Sequence, residues 1–107
     1  MIFHVVPAGE WTAERDYAPA SLAAEGFVHC SADEPSALCV VDARFREVAD
    51  VLVLVIDEAR LAAEVRWEGP GGAFPHVYGP IGRSAVEAVM AVHRDAGGRP
   101  RQLTPWG

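Results

Sequence analysis

Lysine and asparagine are both absent from the 107 residues, and all nine basic side chains are arginine. Without an amine side chain there is no pyridoxal Schiff base and no lysine nucleophile. The GxxxxGK[ST] phosphate loop is excluded for want of its lysine, and N-glycosylation for want of asparagine. Cationic charge is also short. Nine basic against fifteen acidic residues leave a net charge of −6, which repels a polyphosphate backbone and argues against duplex nucleic acid as a partner. A small anionic ligand would need a few arginines converging locally.

Long apolar runs are missing too. The longest, Val51 to Ile56, falls far below the roughly 20 residues of a membrane span. Met1 to Val6 has no basic leader and stops at Pro7, too short for a signal peptide's apolar region. Cysteine is limited to Cys30, in a strand pattern, and Cys39, in a helical one. Both read as reduced, with Cys39 buried as a small apolar residue, and the expected location is cytoplasmic.

What is present suits one small domain: half the residues are apolar, and a chain of this length can bury about two thirds of its unfolded surface. Met1 to Val6 reads as a strand with Ile2, His4 and Val6 on one face and Phe3 and Val5 on the other. Ser21 to Glu25 suits a helical turn closed by Gly26, and Phe27, His29 and Ser31 then alternate with Val28 and Cys30 in a second strand. Ser31 or Asp33 can cap the next helix, with Glu34 available for a capping box, Pro35 in the first turn, and Leu38, Val41 and Phe45 at helical spacing.

Val51 to Ile56 suits a strand covered on both faces at the centre of a sheet. A turn is expected over Asp57 to Leu61, a strand over Val65 to Glu68, and a loop over Gly69 to Ala73. Pro75 and Pro80 assign the extended segment Phe74 to Ile81 to a sheet edge or to irregular pairing. Ser84 and Glu87 form a second capping-box pattern, and Val86, Val89, Met90 and His93 mark the stripe of a final helix ended by Gly97 and Gly98. The tail from about residue 98 is weakly specified. The expected fold is α+β, with two main helices on a small mixed, partly antiparallel sheet.

Three of the four histidines, His4, His29 and His76, fall in strand patterns, where an imidazole is costly unless hydrogen-bonded or used. Phe27 and His29 alternate in one strand as Phe74, His76 and Tyr78 do in another, so two strands could bring two imidazoles, a phenol and an aromatic wall into one cleft. Glu68 could join them across the Gly-rich loop, and Arg66, on the same face as Glu68, could meet a phosphate bidentately. The bland alternative makes each histidine a satisfied interior group. For His93 that alternative wins, as an imidazole complementing a helix C-terminus. For His4 the choice lies between a site floor and a core hydrogen bond. His29 cannot activate Cys30, because neighbouring strand residues point to opposite faces. Ser31 shares the His29 face but competes with its capping role. A divalent metal on the histidines and Glu68 would need folding alone to gather them, since no HxH, HxxxH or CxxC is present.

IFH near the start, SLAAEGFVHCS, VLVLVID, VRWE and FPHVYGPI, in this order over roughly Ile2 to Val92, resemble the small bacterial proteins of the DUF952 family. That resemblance implies a single domain with a fold similar to the ADP-ribosyltransferase superfamily, whose split sheet holds NAD between its halves. Carried over, His4 would take the first-strand role and Glu68 that of the late carboxylate. His29 and Ser31 would line the groove, with His76 and Tyr78 on the facing strand. The expected function is that of a small transferase, ADP-ribosyl or phosphotransferase-like, binding a nucleotide-like ligand such as NAD through catalytic His29, Glu68 and His76 and ligand-holding His4, Ser31, Arg66 and Tyr78. The alternatives are a non-catalytic module binding a metabolite or a protein, and a metal site of His and Glu.

Overall fold

The apolar run at the N-terminus, closed by Pro7, produces β1, Ile2–Pro7, in a computed structural model that describes residues 1–106. Its partner is β3, Val51–Ile56, antiparallel, with His4 opposite Leu54. Leu52, Leu54 and Ile56 enter one hydrophobic core and Val51 and Val53 another, so β3 is covered on both faces as its unbroken apolar run requires. It is an interior strand of a four-stranded sheet ordered β1-β3-β6-β7, in which β6 is Val86–Arg94 and β7 is Pro100–Pro105.

The helix α2, Glu34–Arg44, covers one side of that sheet. Asp33 is its N-cap, accepting from the Ser36 amide at 2.8 Å. Ser31 is not the cap, and Glu34 reaches away to accept from the Leu103 amide at 3.2 Å rather than closing a capping box. Ala37 and Val41 are the buried residues of the helix. This rotates the buried stripe from the expected one, so Leu38 is half-buried and Cys39 is exposed. Both cysteines are free thiols, but it is Cys30 that is buried.

On the other side lies a three-stranded antiparallel sheet, β2-β5-β4, made of Val28–His29, Phe74–Tyr78 and Glu64–Glu68. Its inner face contributes Val28, Cys30 and Val77 to the core shared with Ile2, Leu54 and Ile56. The sheets are stitched by a backbone bridge in which the amides of Phe3 and Ser31 each donate to the other's carbonyl. Ahead of β2, α1 (Ala20–Glu25) ends at Gly26, whose φ of +85° only glycine adopts at low cost.

Two expectations are corrected. The segment containing Pro75 is the centre of its sheet, not an edge. The missing amide costs little because β2 stops at His29, and Pro75 supplies only its carbonyl, to the Cys30 amide at 3.0 Å. The final helix is β6, Val86–Arg94, paired with β3 on one side and with β7, Pro100–Pro105, on the other. Ser84 lies in a short 3₁₀ turn without a side-chain cap, and His93 is an exposed strand residue opposite Gln102. Gly97 and Gly98 end no helix: they turn the β6-β7 hairpin, where Asp95 accepts from the amides of Gly97 and Arg99. Val89 packs toward the inter-sheet core and Met90 and Val92 toward α2. A strand with apolar residues in both phases mimics a helical stripe, and the open flank of β3 decides between them. The architecture is thus a small α+β domain of two antiparallel sheets and two helices.

Candidate functional site

Register gathers the site on the outer face of the smaller sheet. His29 lies directly opposite His76, and Arg66 opposite His76 on the other flank. Their ring and guanidinium groups therefore share one face, while Val28, Val77 and Pro75 point inward. The two imidazole rings stand 5.3 Å apart, edge to face. Phe27, from the bend after α1, stacks on His76 at 4.2 Å and meets His29 at 4.8 Å and Tyr78 at 5.3 Å.

Glu68 is the hub. Its Oε1 accepts from the Tyr78 hydroxyl at 2.5 Å and from Nδ1 of His76 at 2.8 Å. These contacts, Tyr78 first and His76 next, hold the Glu68 carboxyl below the usual carboxylate range. The same hydrogen bond raises the Tyr78 phenol above its ordinary value. A proton on Nδ1 of His76 leaves Nε2 as the free ring nitrogen. Arg66 lies 4.4 Å from the Tyr78 ring centroid and pairs with Glu64 at 3.0 Å.

Glu25 is the member that sequence reasoning missed. From the last residue of α1 it meets Nε2 of His29 at 2.5 Å, both side chains being about half exposed. The i,i+4 spacing was the available signal, but Gly26 ends the helix between them and hides it.

His4 and Ser31 are not on this face. His4 is buried between the sheets, where its Nδ1 donates to the His29 carbonyl at 2.6 Å and its Nε2 accepts from the Tyr17 hydroxyl at 3.0 Å. Burial lowers its pKa to about 4, so the ring is neutral and both nitrogens are occupied; the core-hydrogen-bond reading of His4 holds. Ser31 is buried at the Phe3 bridge. Cys30 faces the core, and burial pushes its thiol up to about 12, so it supplies no thiolate.

A groove of about 520 Å³ lies along the Gly9 to Ala20 segment. Another of about 600 Å³ runs between Trp11, Arg83, Val86 and Trp106. Neither is lined by His29, His76 or Glu68. Among the described residues no three His, Cys, Asp or Glu side chains are grouped to hold a metal ion. No helix among them is long and apolar enough to cross a membrane.

Residues 5–89 match the family model described as protein of unknown function (DUF952). The chain belongs to this family. The crystal structure of protein CC0527 from Caulobacter crescentus is similar over 94% of this chain and 92% of that one, at 31% identity and a TM-score of 0.79. The solution NMR structure of the same protein gives 31% identity and a TM-score of 0.75, covering 94% and 90%. None of the curated proteins matches the chain.

Proposed function

We propose that the outer face of the β2-β5-β4 sheet binds a nucleotide-like ligand, NAD in the first instance, and transfers its ADP-ribosyl group to an acceptor. The observation that carries this reading is the Glu68 carboxylate, fixed by Tyr78 and His76 at 2.5 and 2.8 Å beside an aromatic and imidazole surface. Glu25, Glu64 and Glu68 outnumber Arg66 there, so the face is negative when the imidazoles are neutral. A cationic nicotinamide ring complements that charge, with Phe27 and Tyr78 as stacking partners. Arg66 would meet a phosphate and the imidazoles ribose hydroxyls.

In the reaction the glycosidic bond to nicotinamide breaks and positive charge develops at the anomeric carbon. A preoriented carboxylate, held on one oxygen by two donors, stabilises that charge. The acceptor's oxygen or nitrogen forms the new bond, and its proton passes to Nε2 of His76 or to water. The ADP-ribosyltransferase-like fold that the resemblance implies belongs to this same reading.

Thermal unfolding with NAD, ADP-ribose and AMP tests binding. A ligand at 100 times its dissociation constant adds about 2.7 kcal/mol of stability, and His29→Ala is expected to abolish the shift. Nicotinamide release is expected from the native protein and not from Glu68→Gln. A melting temperature unmoved by every nucleotide overturns the reading. A shift without nicotinamide release makes the face a non-catalytic recognition surface.

A further inference from the structure

The two imidazoles of the outer face are oriented by carboxylates in opposite senses. Glu68 engages Nδ1 of His76, leaving Nε2 free, whereas Glu25 engages Nε2 of His29, leaving Nδ1 free. Carboxylate partners of this kind set the tautomer and stabilise the imidazolium form when it arises. The rings are 5.3 Å apart on neighbouring strands. Two histidines each backed by a carboxylate, side by side on the outer face with His29 half exposed and His76 partly buried beneath Phe27, can take a proton at one point of a substrate and deliver one at another.

Among the described residues the face carries no serine or cysteine nucleophile: Cys30 points into the core and Ser31 is buried at the seam between the sheets. A hydroxyl carried by the substrate itself is an attacking group that two acid–base residues can serve. Aromatic rings flank the imidazoles: Phe27 stacks on His76, Phe74 is half exposed two residues along β5 on the same face, and Tyr78 lies two residues along in the other direction. Flat rings spaced along one strand suit unpaired bases, which stack without sequence selectivity. A net charge of −6 confines such a substrate to few phosphates.

We propose that His29 and His76 act as an acid–base pair cleaving a phosphodiester that carries a neighbouring hydroxyl, as in a short single-stranded ribonucleotide. Nε2 of His76 removes the proton of the ribose 2′-hydroxyl, whose oxygen forms a bond to phosphorus. The bond from phosphorus to the 5′-oxygen breaks, and protonated His29 delivers its proton to that leaving oxygen. The products are a 2′,3′-cyclic phosphate and a free 5′-hydroxyl, so no water, oxidant or metal enters the balance. Glu25 is a positioning residue acting through His29, as Glu68 is through His76. This inference shares with the preceding reading only that the face binds a ribose-bearing nucleotide, not the bond broken.

Uridylyl-(3′,5′)-adenosine and uridine 3′-(4-nitrophenyl phosphate) test it together. The native protein is expected to convert the dinucleotide to uridine 2′,3′-cyclic phosphate and adenosine with a bell-shaped pH profile, and to leave the 2′-deoxy analogue intact. His29→Ala and His76→Ala should each reduce cleavage by about 100-fold or more, while His93→Ala, on the opposite sheet, leaves it unchanged. The nitrophenyl ester needs no proton on its leaving group, so His29→Ala should lose far less on it than on the dinucleotide, whereas His76→Ala should lose equally on both. Glu25→Gln should lower kcat on the dinucleotide more than on the nitrophenyl ester, with KM unchanged and the melting temperature within about a degree of native. Cleavage that is absent, or that persists in the folded double variant His29→Ala with His76→Ala, overturns the proposal, as does a smaller loss on the nitrophenyl ester by His76→Ala instead. Because NAD and ADP-ribose binding is measured separately, loss of this activity leaves the ADP-ribosyl reading standing, and the converse holds.

Discussion

His4 donates a hydrogen bond from its buried Nδ1 to the main-chain carbonyl of His29 at 2.6 Å, although the side chain of His29 lies on the solvent side of the smaller sheet. One histidine thus fixes the backbone that presents the other. With Tyr17 closing the second ring nitrogen at 3.0 Å, the buried imidazole ties β1, β2 and the connection before α1 together.

The first prediction concerns pH and stability. Burial lowers the His4 pKa from 6.5 to about 4, so between those values the unfolded chain binds a proton that the folded one rejects. The contribution is complete above pH 6.5 and is lost progressively as pH falls toward 4. At about 1.36 kcal/mol per pH unit, roughly 3 kcal/mol disappears across that window. Urea unfolding at pH 7, 6, 5 and 4 measures it. In His4→Leu the histidine part of the slope should vanish, while stability at pH 7 falls by about 1–3 kcal/mol as the His29 carbonyl loses its donor.

Thiol chemistry separates the two cysteines. Cys39 is exposed on α2, whereas Cys30 is buried with its thiol pushed up to about 12. A disulfide-exchange reagent at pH 8 should label Cys39 quickly in the native protein and reach Cys30 only on unfolding. Rapid labelling of both thiols in the folded state would contradict the packing of β2 against β1.

The Glu68 hub should respond to loss of the Tyr78 hydroxyl. Because that hydrogen bond is the leading cause holding the Glu68 carboxyl low, Tyr78→Phe should raise its titration toward the ordinary carboxylate range. Carbon-detected NMR of the side-chain carboxyl measures this, and an unchanged midpoint would mean that His76 alone carries the shift.

Helix α2 offers a packing contrast. Val41 is fully buried against Val5 and Val53, whereas Leu38 is only half-buried. Val41→Ala should cost about 2 kcal/mol through lost burial and the cavity left behind. Leu38→Ala should cost under about 1 kcal/mol. Equal costs by urea unfolding would return the helix to the orientation its sequence stripe suggests.

Local chemistry alone determined much of this molecule. The alternation of Ile2, His4 and Val6 against Phe3 and Val5, the doubly covered run from Val51, the turn at Gly26 and the start of α2 near Asp33 all follow from side-chain period, β-branching and capping. Register along FVH and FPHVY was enough to anticipate two imidazoles on a shared face. Tertiary structure decided the rest, because the deciding partners are distant in the chain. Val86 to Arg94 carries apolar residues in both phases and could satisfy either period; the unfilled flank of β3 made it a strand. Pro75 reads as an edge signal until β2 ends beside it. His4 could have floored a site or bonded within the core, and Tyr17 and the His29 carbonyl settled that. Glu25 joined His29 only through the bend that follows α1. Periodicity reports which faces are apolar, but a hydrogen-bond partner or an open sheet edge is a property of the assembled molecule.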